Sequence, residues 1–352
     1  MRVSIIIPTF NRASFLVEAI ESALTQDYAD LEVVISDNAS TDYTSEVARY
    51  FFKDPRVKYF KNSENIGMVR NWHKAVFEYA TGDWFVILSD DDILTNPYFI
   101  SQAVQLIKTS KDVTVVYSNS YVYDEGLRTL TKLKVPFHNI EKGVLVFSKR
   151  GTVRPQDFAL CNVLFDRKLS AECGAFLNSN NLSCDTELFL RLCLRGRVGV
   201  VSQYSSIYRV HSGNLLKSAS KNTDLVVGSL DSLLKPLLEA EKFQLNTDLI
   251  RDFIANSRIK REILVSLLKT SAMSKDKGRA LYFELQSLLK EYDYRLLPSS
   301  FVFTIMLVTA SALTPLFVLR RRALYVLNSL KRQIFGRRVY FGLLKQKVYI
   351  IE

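Results

Sequence analysis

Apolar runs and helically spaced apolar residues alternate along the first 215 residues of the chain. The run from Val3 to Ile7 ends at Pro8 and predicts a strand buried on both faces, as in a parallel sheet. Apolar residues then recur at helical spacing from Phe15 to Leu24, which predicts a helix with Ser14 as its cap. The chain therefore opens with a strand followed by a helix.

The same alternation continues to Leu88. Further strands are predicted at 31–35, 57–60 and 84–88, and a helix at 71–79. Short connections between alternating strands and helices favour a right-handed, mostly parallel α/β sheet of the nucleotide-binding (Rossmann-like) type.

The second half of this region has a less regular pattern. Strands are predicted at 113–123 and 144–147 with a loop-rich stretch between them, and one or two more at 198–208. A helix is predicted at 188–194 and is closed by Gly196.

Length and composition indicate three parts. The chain has 352 residues, more than one usual domain, and we predict an α/β domain at 1–215, a helical module at 216–295, and an apolar segment with a basic tail at 296–352. No secretory signal pattern opens the chain, and its four cysteines lack the paired spacing of zinc sites, so free thiols in a reducing cytoplasm are expected.

Charge is concentrated in the C-terminal part. The net charge is +11, and from Arg320 onward nine Lys or Arg residues face one acidic residue. This distribution argues against nucleic acid as a partner and favours an anionic membrane surface. Residues 296–319 carry no charge and are long enough to cross a bilayer, although a buried core helix is the alternative.

Three consecutive carboxylates end the predicted strand at 84–88. Asp90, Asp91 and Asp92 follow Ser89, and adjacent like charges repel one another and raise each other's pKa. The pattern favours a divalent cation held by oxygen ligands. A solvated acidic turn that caps the next helix is the alternative reading.

Four sequence blocks together carry a family resemblance. They are SIIIPTFNR from Ser4, VVISDNASTD from Val33, NIG from Asn65 and SDDD from Ser89. In order and spacing they resemble the family 2 glycosyltransferases over about residues 1–212. The resemblance implies a GT-A fold and transfer of a sugar, with inversion, from a nucleotide-diphosphate sugar.

The resemblance also implies roles for the first blocks. Pro8, Thr9, Phe10 and Arg12 would contact the base and ribose of the donor, although Phe10 could instead staple the next helix. Two more donor-binding residues are implied by the family pattern, Asp37 and Arg70.

Asp37 resembles the acid that accepts a hydrogen bond from a pyrimidine ring N–H, which favours UDP- or dTDP-linked donors. An N-cap or Asx-turn is the alternative role for this position, and Asp42 fits that role better. Arg70 could pair with the donor diphosphate or lie solvated on its helix.

The acidic triplet departs from the family pattern, because Ser89 stands where the first carboxylate often lies. Asp91 then aligns with the metal ligand, with Asp90 and Asp92 assisting through ribose or water, and Mg²⁺ or Mn²⁺ as the ion. His211, in the block after the last predicted strand, would complete the metal site or contact the diphosphate. A lone exposed histidine is the alternative.

The resemblance places the catalytic base before the helix predicted at 188–194. Asp185 is the candidate that takes the acceptor proton, with Glu187 in reserve, and Cys184 replaces the glutamate of the family pattern. Acidic residues in a first helical turn are also favourable simply as caps.

The resulting expectation is a metal-dependent glycosyltransferase that acts on a lipid-linked or cell-surface glycan acceptor in polysaccharide or O-antigen assembly. Because activated donors are cytoplasmic, we expect a peripheral protein on the cytoplasmic face of the bacterial inner membrane, held in plane or by a hairpin broken near Pro315 rather than by one simple span. A catalytically idle nucleotide-sugar-binding scaffold is the alternative, motivated by Ser89 and Cys184.

Overall fold

The computed structural model describes residues 1–150, 160–181, 183–213, 275–291, 337–341 and 346–351, together with five positions between 235 and 243. Its strands are β1 (Val3–Thr9), β2 (Leu31–Asp37), β3 (Val57–Lys61), β4 (Trp84–Ile87), β5 (Ile93–Leu94), β6 (Val113–Asp124), β7 (Thr129–Leu133), β8 (Asn139–Lys142), β9 (Val163–Asp166), β10 (Arg197–Val210), β11 (Arg337–Phe341) and β12 (Gln346–Ile351). Its helices are α1 (Ala13–Leu24), α2 (Thr44–Tyr50), α3 (Met68–Lys74, continued by a π-helical turn at Ala75–Tyr79), α4 (Phe99–Thr109), α5 (Gly143–Arg150), α6 (Arg167–Glu172), α7 (Cys184–Arg195) and α8 (Lys275–Glu291).

One mixed sheet organises the described chain. Strands β3, β2, β1 and β4 lie side by side and are parallel, as the alternating pattern predicted. Beyond β4 the sheet continues through β9, which is antiparallel to both β4 and β6, and β10 then pairs parallel to β6. The uninterrupted set of four parallel strands therefore comes from the first half of the domain, and the strand order reverses between β1 and β4.

Both faces of the parallel strands are buried. Ile6 and Ile87 belong to the core cluster on one face, together with residues of α3 and α7. Ile5 and Val86 belong to the cluster on the other face, together with residues of α1 and α4. Neighbouring residues of one strand thus enter different cores, which explains why these strands are apolar along their whole length.

The prediction of a strand at 144–147 is wrong. These residues lie in α5, where Val146 and Phe147 are buried and Leu145 is 41% exposed. Two consecutive buried residues beside an exposed one fit a helical face rather than the alternation of a half-buried strand. The stretch predicted as loop-rich contains β7 and β8.

The end of α7 depends on a close backbone approach. Gly196 follows the helix as predicted, but its φ of −177° is extended rather than left-handed. A Cβ atom at this position would lie 2.3 Å from the carbonyl oxygen of Asp112. Glycine is therefore needed here for space and not for a left-handed cap.

The C-terminal part contributes to the same body where it is described. Leu281, Tyr282 and Leu285 of α8 are buried in the core cluster that contains α7 residues. Strand β12 pairs with β7 and with β11, so two segments of the predicted basic tail extend the edge of the sheet. The apolar segment 296–319 lies outside the described residues, and none of the helices described is both long enough and apolar enough to cross a bilayer.

Candidate active site

The candidate site lies where β1, β2 and β4 end, at the point where strand order reverses. In open α/β sheets, ligands bind in the crevice beyond the carboxyl ends of the strands at such a point. The acidic triplet follows β4 in a turn in which the Asp92 N–H donates to the Ser89 carbonyl oxygen at 3.0 Å. Asp90, Asp91 and Asp92 are only 3%, 6% and 2% exposed. Three buried carboxylates require compensating positive charge.

Arg12 supplies part of this charge. Its Nη1 atom lies 3.0 Å from Oδ1 of Asp90 and 2.8 Å from Oδ2 of Asp91, and its Nη2 donates to the Gly213 carbonyl oxygen at 2.8 Å. The family resemblance placed Arg12 beside the donor base and ribose. The structure instead places its guanidinium on the acidic triplet.

His211 also contacts the triplet, from the end of β10. Its Nε2 atom lies 2.9 Å from Oδ2 of Asp91, and its Nδ1 accepts a hydrogen bond from the Gly213 N–H at 3.2 Å. Since Nδ1 accepts, the proton of the neutral ring is on Nε2 and points to Asp91. The Phe15 ring packs on the imidazole with centroids 4.9 Å apart, and only 8% of His211 is exposed. The alternative of a lone exposed histidine is therefore wrong.

The outer two acids have perturbed ionisation. Burial raises the pKa of Asp90, and although Arg12 opposes this, the neighbouring Asp91 adds to it and the pKa reaches about 6. Burial and the charge of Asp91 raise the pKa of Asp92 well above its usual range, even though its Oδ1 accepts the Arg209 N–H at 2.9 Å. Charge at the triplet is therefore costly, and a cation there would be strongly attracted.

The triplet and His211 fit a divalent ion with few protein ligands. Neighbouring ligands of an octahedral Mg²⁺, each about 2.1 Å from the metal, lie about 3 Å apart. The Asp91 Oδ2 and His211 Nε2 atoms are 2.9 Å apart, which is a hydrogen-bond distance and is also close to that spacing, so Nε2 could bind an ion only after its proton has moved to Nδ1. Within the described residues, no three His, Cys, Asp or Glu side chains are grouped as a complete site. Two protein ligands would leave the remaining positions to phosphate oxygens and water.

Asp37 lies at the end of β2 and is completely buried. Its Oδ1 accepts the Ser40 N–H at 2.8 Å, three residues along the chain, which is the type of contact that an N-cap side chain makes, and its Oδ2 accepts the Tyr59 hydroxyl at 2.6 Å. Burial and this hydrogen bond raise the pKa of Tyr59 to about 12. Between Asp37 and Ser40, Ala39 has a φ of 66°, a left-handed value that strains a residue with a Cβ. The carboxylate shapes this loop, and a base would have to share its oxygens.

Asp42 has the capping role predicted for it. Its Oδ1 accepts the Thr44 N–H at 3.1 Å, at the start of α2. Its Oδ2 accepts the Ala13 N–H at 3.0 Å, at the start of α1. Asp42, and not Ser14, therefore caps α1 and fixes the loop that carries Arg12.

A network of asparagines supports the loop after β2 and was missed in the sequence. The Asn38 Nδ2 donates to Asn65 Oδ1 at 2.8 Å, and Asn62 Nδ2 donates to Asn38 Oδ1 at 3.2 Å and to Asn71 Oδ1 at 2.8 Å. Asn71 also bonds to Ser36, whose carbonyl accepts from Nδ2 at 3.0 Å. The signal available in the sequence was the presence of four asparagines between positions 38 and 71, of which Asn38 and Asn65 lie in blocks that carry the resemblance.

The remaining predicted donor-binding residues surround the same crevice or face solvent. Pro8 and Thr9 are buried at the end of β1. Phe10 is 41% exposed, so its ring is open to a ligand rather than buried as a staple. Arg70 is exposed in the first turn of α3, a position open to solvent or to a ligand phosphate.

The two candidate bases lie in the first turn of α7 in different surroundings. Asp185 is half-buried, and its Oδ1 accepts the Thr186 N–H at 2.7 Å. Burial raises the pKa of the Tyr208 phenol, and the charges of Asp92 and Asp91 add to this, with a smaller contribution from Asp185.

Glu187 is engaged in structural contacts. Its Oε2 accepts from Asn181 Nδ2 at 2.7 Å, and its Oε1 lies 3.3 Å from Arg191 Nη1. Cys184 is 3% exposed and belongs to the core. Of the two candidates, Glu187 has its carboxylate in contact with both Asn181 and Arg191.

Comparisons with known proteins bear on the family and the fold of the chain. Residues 4–169 match the family model described as Glycosyl transferase family 2. A GalNAc(5)-diNAcBac-PP-undecaprenol beta-1,3-glucosyltransferase of Campylobacter jejuni is 36% identical over 127 residues, which are 36% of this chain and 40% of that protein. The chain thus spans about 40% of the length of this relative.

Two solved structures share the fold at low sequence identity. S. aureus TarS in complex with UDP-GlcNAc is 16% identical with a TM-score of 0.54, covering 83% of this chain and 89% of that one. The mannosyltransferase PcManGT from Pyrobaculum calidifontis, in complex with GDP-Man and Mn²⁺, is 18% identical with a TM-score of 0.52, covering 89% of this chain and 86% of that one. At these identities the likeness shows the fold alone.

Proposed function

This chain belongs to the family 2 glycosyltransferases and has their GT-A fold, and from this premise we propose that it transfers a sugar from a nucleotide-diphosphate donor to a lipid-linked or cell-surface glycan acceptor. The observation that carries the proposal is the meeting of Asp91, His211 and Arg12 beyond the ends of β1 and β4. Buried acids of this kind, with a histidine at ligand spacing, suit a cation that holds a diphosphate.

Different residues are assigned to the leaving group and to the acceptor. Asp91 and His211 would hold Mg²⁺ or Mn²⁺, which when bound would neutralise the charge that grows on the departing nucleoside diphosphate. Asp185 takes the proton from the acceptor hydroxyl as that oxygen attacks the anomeric carbon from the face opposite the leaving group. One displacement inverts the anomeric centre, so no covalent nucleophile is needed.

The donor is held at the ends of β1 and β2. Phe10 is exposed next to the buried Thr9 at the end of β1 and would contact the donor, and the loop at Asp37, supported by the asparagine network, would contact its base. Arg70, exposed at the start of α3, is available to the diphosphate. Uridine and thymidine nucleotides are favoured because a carboxylate accepts from their ring N–H.

The proposed acceptor and location are supported by one relative and by the charge of the C-terminal tail. The name of the Campylobacter jejuni relative describes a substrate carried on PP-undecaprenol, which supports a lipid-linked acceptor here. The basic residues from Arg320 onward suit the anionic cytoplasmic leaflet. The protein would then work peripherally at the cytoplasmic face, beside its acceptor.

Thermal stabilisation by a panel of UDP-, dTDP- and GDP-sugars, with and without Mn²⁺, tests this function. We expect one nucleotide class to stabilise the protein in the presence of Mn²⁺ and to be consumed when a polyprenyl-diphosphate-linked glycan is added. Asp91→Ala should abolish the metal-dependent stabilisation, whereas Asp30→Ala at an exposed surface position should not. Equal stabilisation after chelation and in Asp91→Ala would remove the basis of the proposal.

A further inference from the structure

We propose that Arg12 is an internal counter-cation of the acidic triplet, which a divalent ion must displace, so that tight metal binding requires the nucleoside diphosphate. The inference rests on the proposed function, since it concerns the same site. It gives Arg12 a role distinct from the base and ribose contact that the family resemblance implied. The role makes metal affinity conditional on donor binding.

The charge at the triplet explains why a resident cation is needed. Asp90 and Asp91 are at most 6% exposed, and one nitrogen of Arg12 bridges them at 3.0 and 2.8 Å. The guanidinium of Arg209 pairs instead with Glu18 and Glu125. Arg12 therefore places a positive charge in direct contact with both carboxylates, and removing it would leave buried like charges side by side with less compensation.

Arg12 and a metal ion would compete for one oxygen atom. Oδ2 of Asp91 has Arg12 Nη1 at 2.8 Å and His211 Nε2 at 2.9 Å. A divalent ion bound to the same oxygen would sit about 2.1 Å from it. Two cations at such separations repel strongly when little water lies between them. The ion can take this oxygen only when the guanidinium moves away.

The second terminal nitrogen of Arg12, Nη2, links the displacement of Arg12 by a metal ion to the chain that follows β10. Nη2 donates to the Gly213 carbonyl oxygen at 2.8 Å, while the Gly213 N–H donates to His211 Nδ1 at 3.2 Å. Displacing Arg12 thus breaks the hydrogen bond between the loop after β1 and the segment that carries His211. A diphosphate offers the freed guanidinium a bidentate partner, so donor and metal favour each other's binding.

Mn²⁺ binding to the full-length protein, measured by electron paramagnetic resonance without any nucleotide, tests the proposal. Arg12→Ala should bind Mn²⁺ about tenfold more tightly than the wild type, because the metal no longer displaces two charged hydrogen bonds. The single ammonium group of lysine bridges the two carboxylates less well than a guanidinium does. The Mn²⁺ affinity of Arg12→Lys should therefore lie between those of the wild type and Arg12→Ala. Arg56→Ala is the matched control, since it removes another Arg–Asp pair, with Asp54, and should leave Mn²⁺ affinity unchanged.

Coupling to the nucleotide gives a second readout. Adding UDP should raise the Mn²⁺ affinity of the wild type much more than that of Arg12→Ala. Mn²⁺ alone should also raise the Tm of Arg12→Ala more than it raises the Tm of the wild type. If Arg12→Ala does not fold, judged by circular dichroism, the Arg12→Lys titration decides.

Mn²⁺ affinity that is equal or weaker in the folded Arg12 variants would overturn the proposal. That result is distinct from failure of the proposed function. If nucleotide-sugar transfer stands while Arg12 variants bind free Mn²⁺ no better, only the counter-cation role is lost. If no nucleotide-sugar binds or reacts, the proposed function fails whatever the Mn²⁺ titrations show.

Discussion

The Nε2 atom of His211 lies 2.9 Å from the Oδ2 atom of Asp91, although 120 positions separate the two residues along the chain. Asp91 follows β4 and His211 follows β10, so this contact joins the end of the last core strand to the acidic triplet. Both side chains are less than 9% exposed. A contact buried to this degree fixes the imidazole beside Asp91, where the proposed metal ion would bind.

Replacing His211 by alanine should weaken metal-dependent donor binding. Removal of a hydrogen bond to a charged partner, and of a metal ligand, is expected to lower kcat/KM about 10- to 100-fold. Transfer assays over a Mn²⁺ concentration series should show a higher Mn²⁺ requirement. His138→Ala, at an exposed position, is the control and should behave as the wild type. An unchanged Mn²⁺ requirement in His211→Ala would contradict the metal assignment.

Asp185→Asn should separate binding from chemistry. The substitution keeps the shape of the side chain but removes the base, so we expect transfer to fall by about 10²- to 10⁴-fold while donor binding persists. Initial rates, together with donor affinity measured by calorimetry, check this. Full activity in Asp185→Asn would exclude it as the base.

Glu187→Gln serves as the companion variant. Its carboxylate contacts Asn181 and Arg191, so its loss should lower stability modestly and leave the rate within a few-fold of the wild type. If Glu187→Gln loses transfer as completely as Asp185→Asn is expected to, the base assignment between the two would have to be reversed.

The sequence predicted the parallel strands well because their signal is strong. β1, β2 and β4 are buried on both faces, so they appear as apolar runs. β8 is exposed or half-buried at every position and β5 has only two residues, and such elements carry no periodicity that could reveal them. Their positions depend on pairing with β10, which is a property of the tertiary structure.

The site was predictable to the extent that it depends on strand ends. Asp91 and His211 each follow a strand, and the sheet brings those ends together. The position of Arg12 was not predictable, because it depends on the direction of a long side chain from the loop after β1. The role of Asp37 in its own loop was foreseen as an alternative, and the structure shows that geometry.

Asn71→Asp should destabilise the loop that supports donor binding. The Nδ2 of Asn71 donates to the Ser36 carbonyl oxygen at 3.0 Å, and an aspartate would oppose that carbonyl with a buried negative charge. We expect a loss of about 2–3 kcal/mol in the free energy of unfolding and weaker donor binding. Urea denaturation and calorimetry measure the two effects.

Asn180→Asp is the matched control for this variant, because Asn180 is exposed and the same change there meets solvent. Its free energy of unfolding should stay within about 0.5 kcal/mol of the wild-type value. A stable Asn71→Asp with normal donor affinity would show that the asparagine network does not shape the site.

Glu32 should control the acid stability of the protein from the opposite end of the sheet. It is completely buried, and although burial alone would raise its pKa, hydrogen bonds from Lys58, Ser4 and Thr81 lower the pKa to about 2. Since the folded pKa lies below the unfolded value of 4.5, the carboxylate stabilises the fold fully above pH 4.5. This contribution, about 3 kcal/mol, is lost progressively as the pH falls from 4.5 towards 2.

Chemical denaturation between pH 7 and pH 3 tests this in Glu32→Gln. The variant should be less stable than the wild type at pH 7, because Lys58 loses its charged partner at 2.7 Å. Its stability should then decline less steeply below pH 4.5, so the two curves converge in acid. Glu64→Gln, at an exposed position, should follow the wild-type curve. Parallel curves for Glu32→Gln and the wild type would mean that Glu32 ionises alike in the folded and unfolded chains.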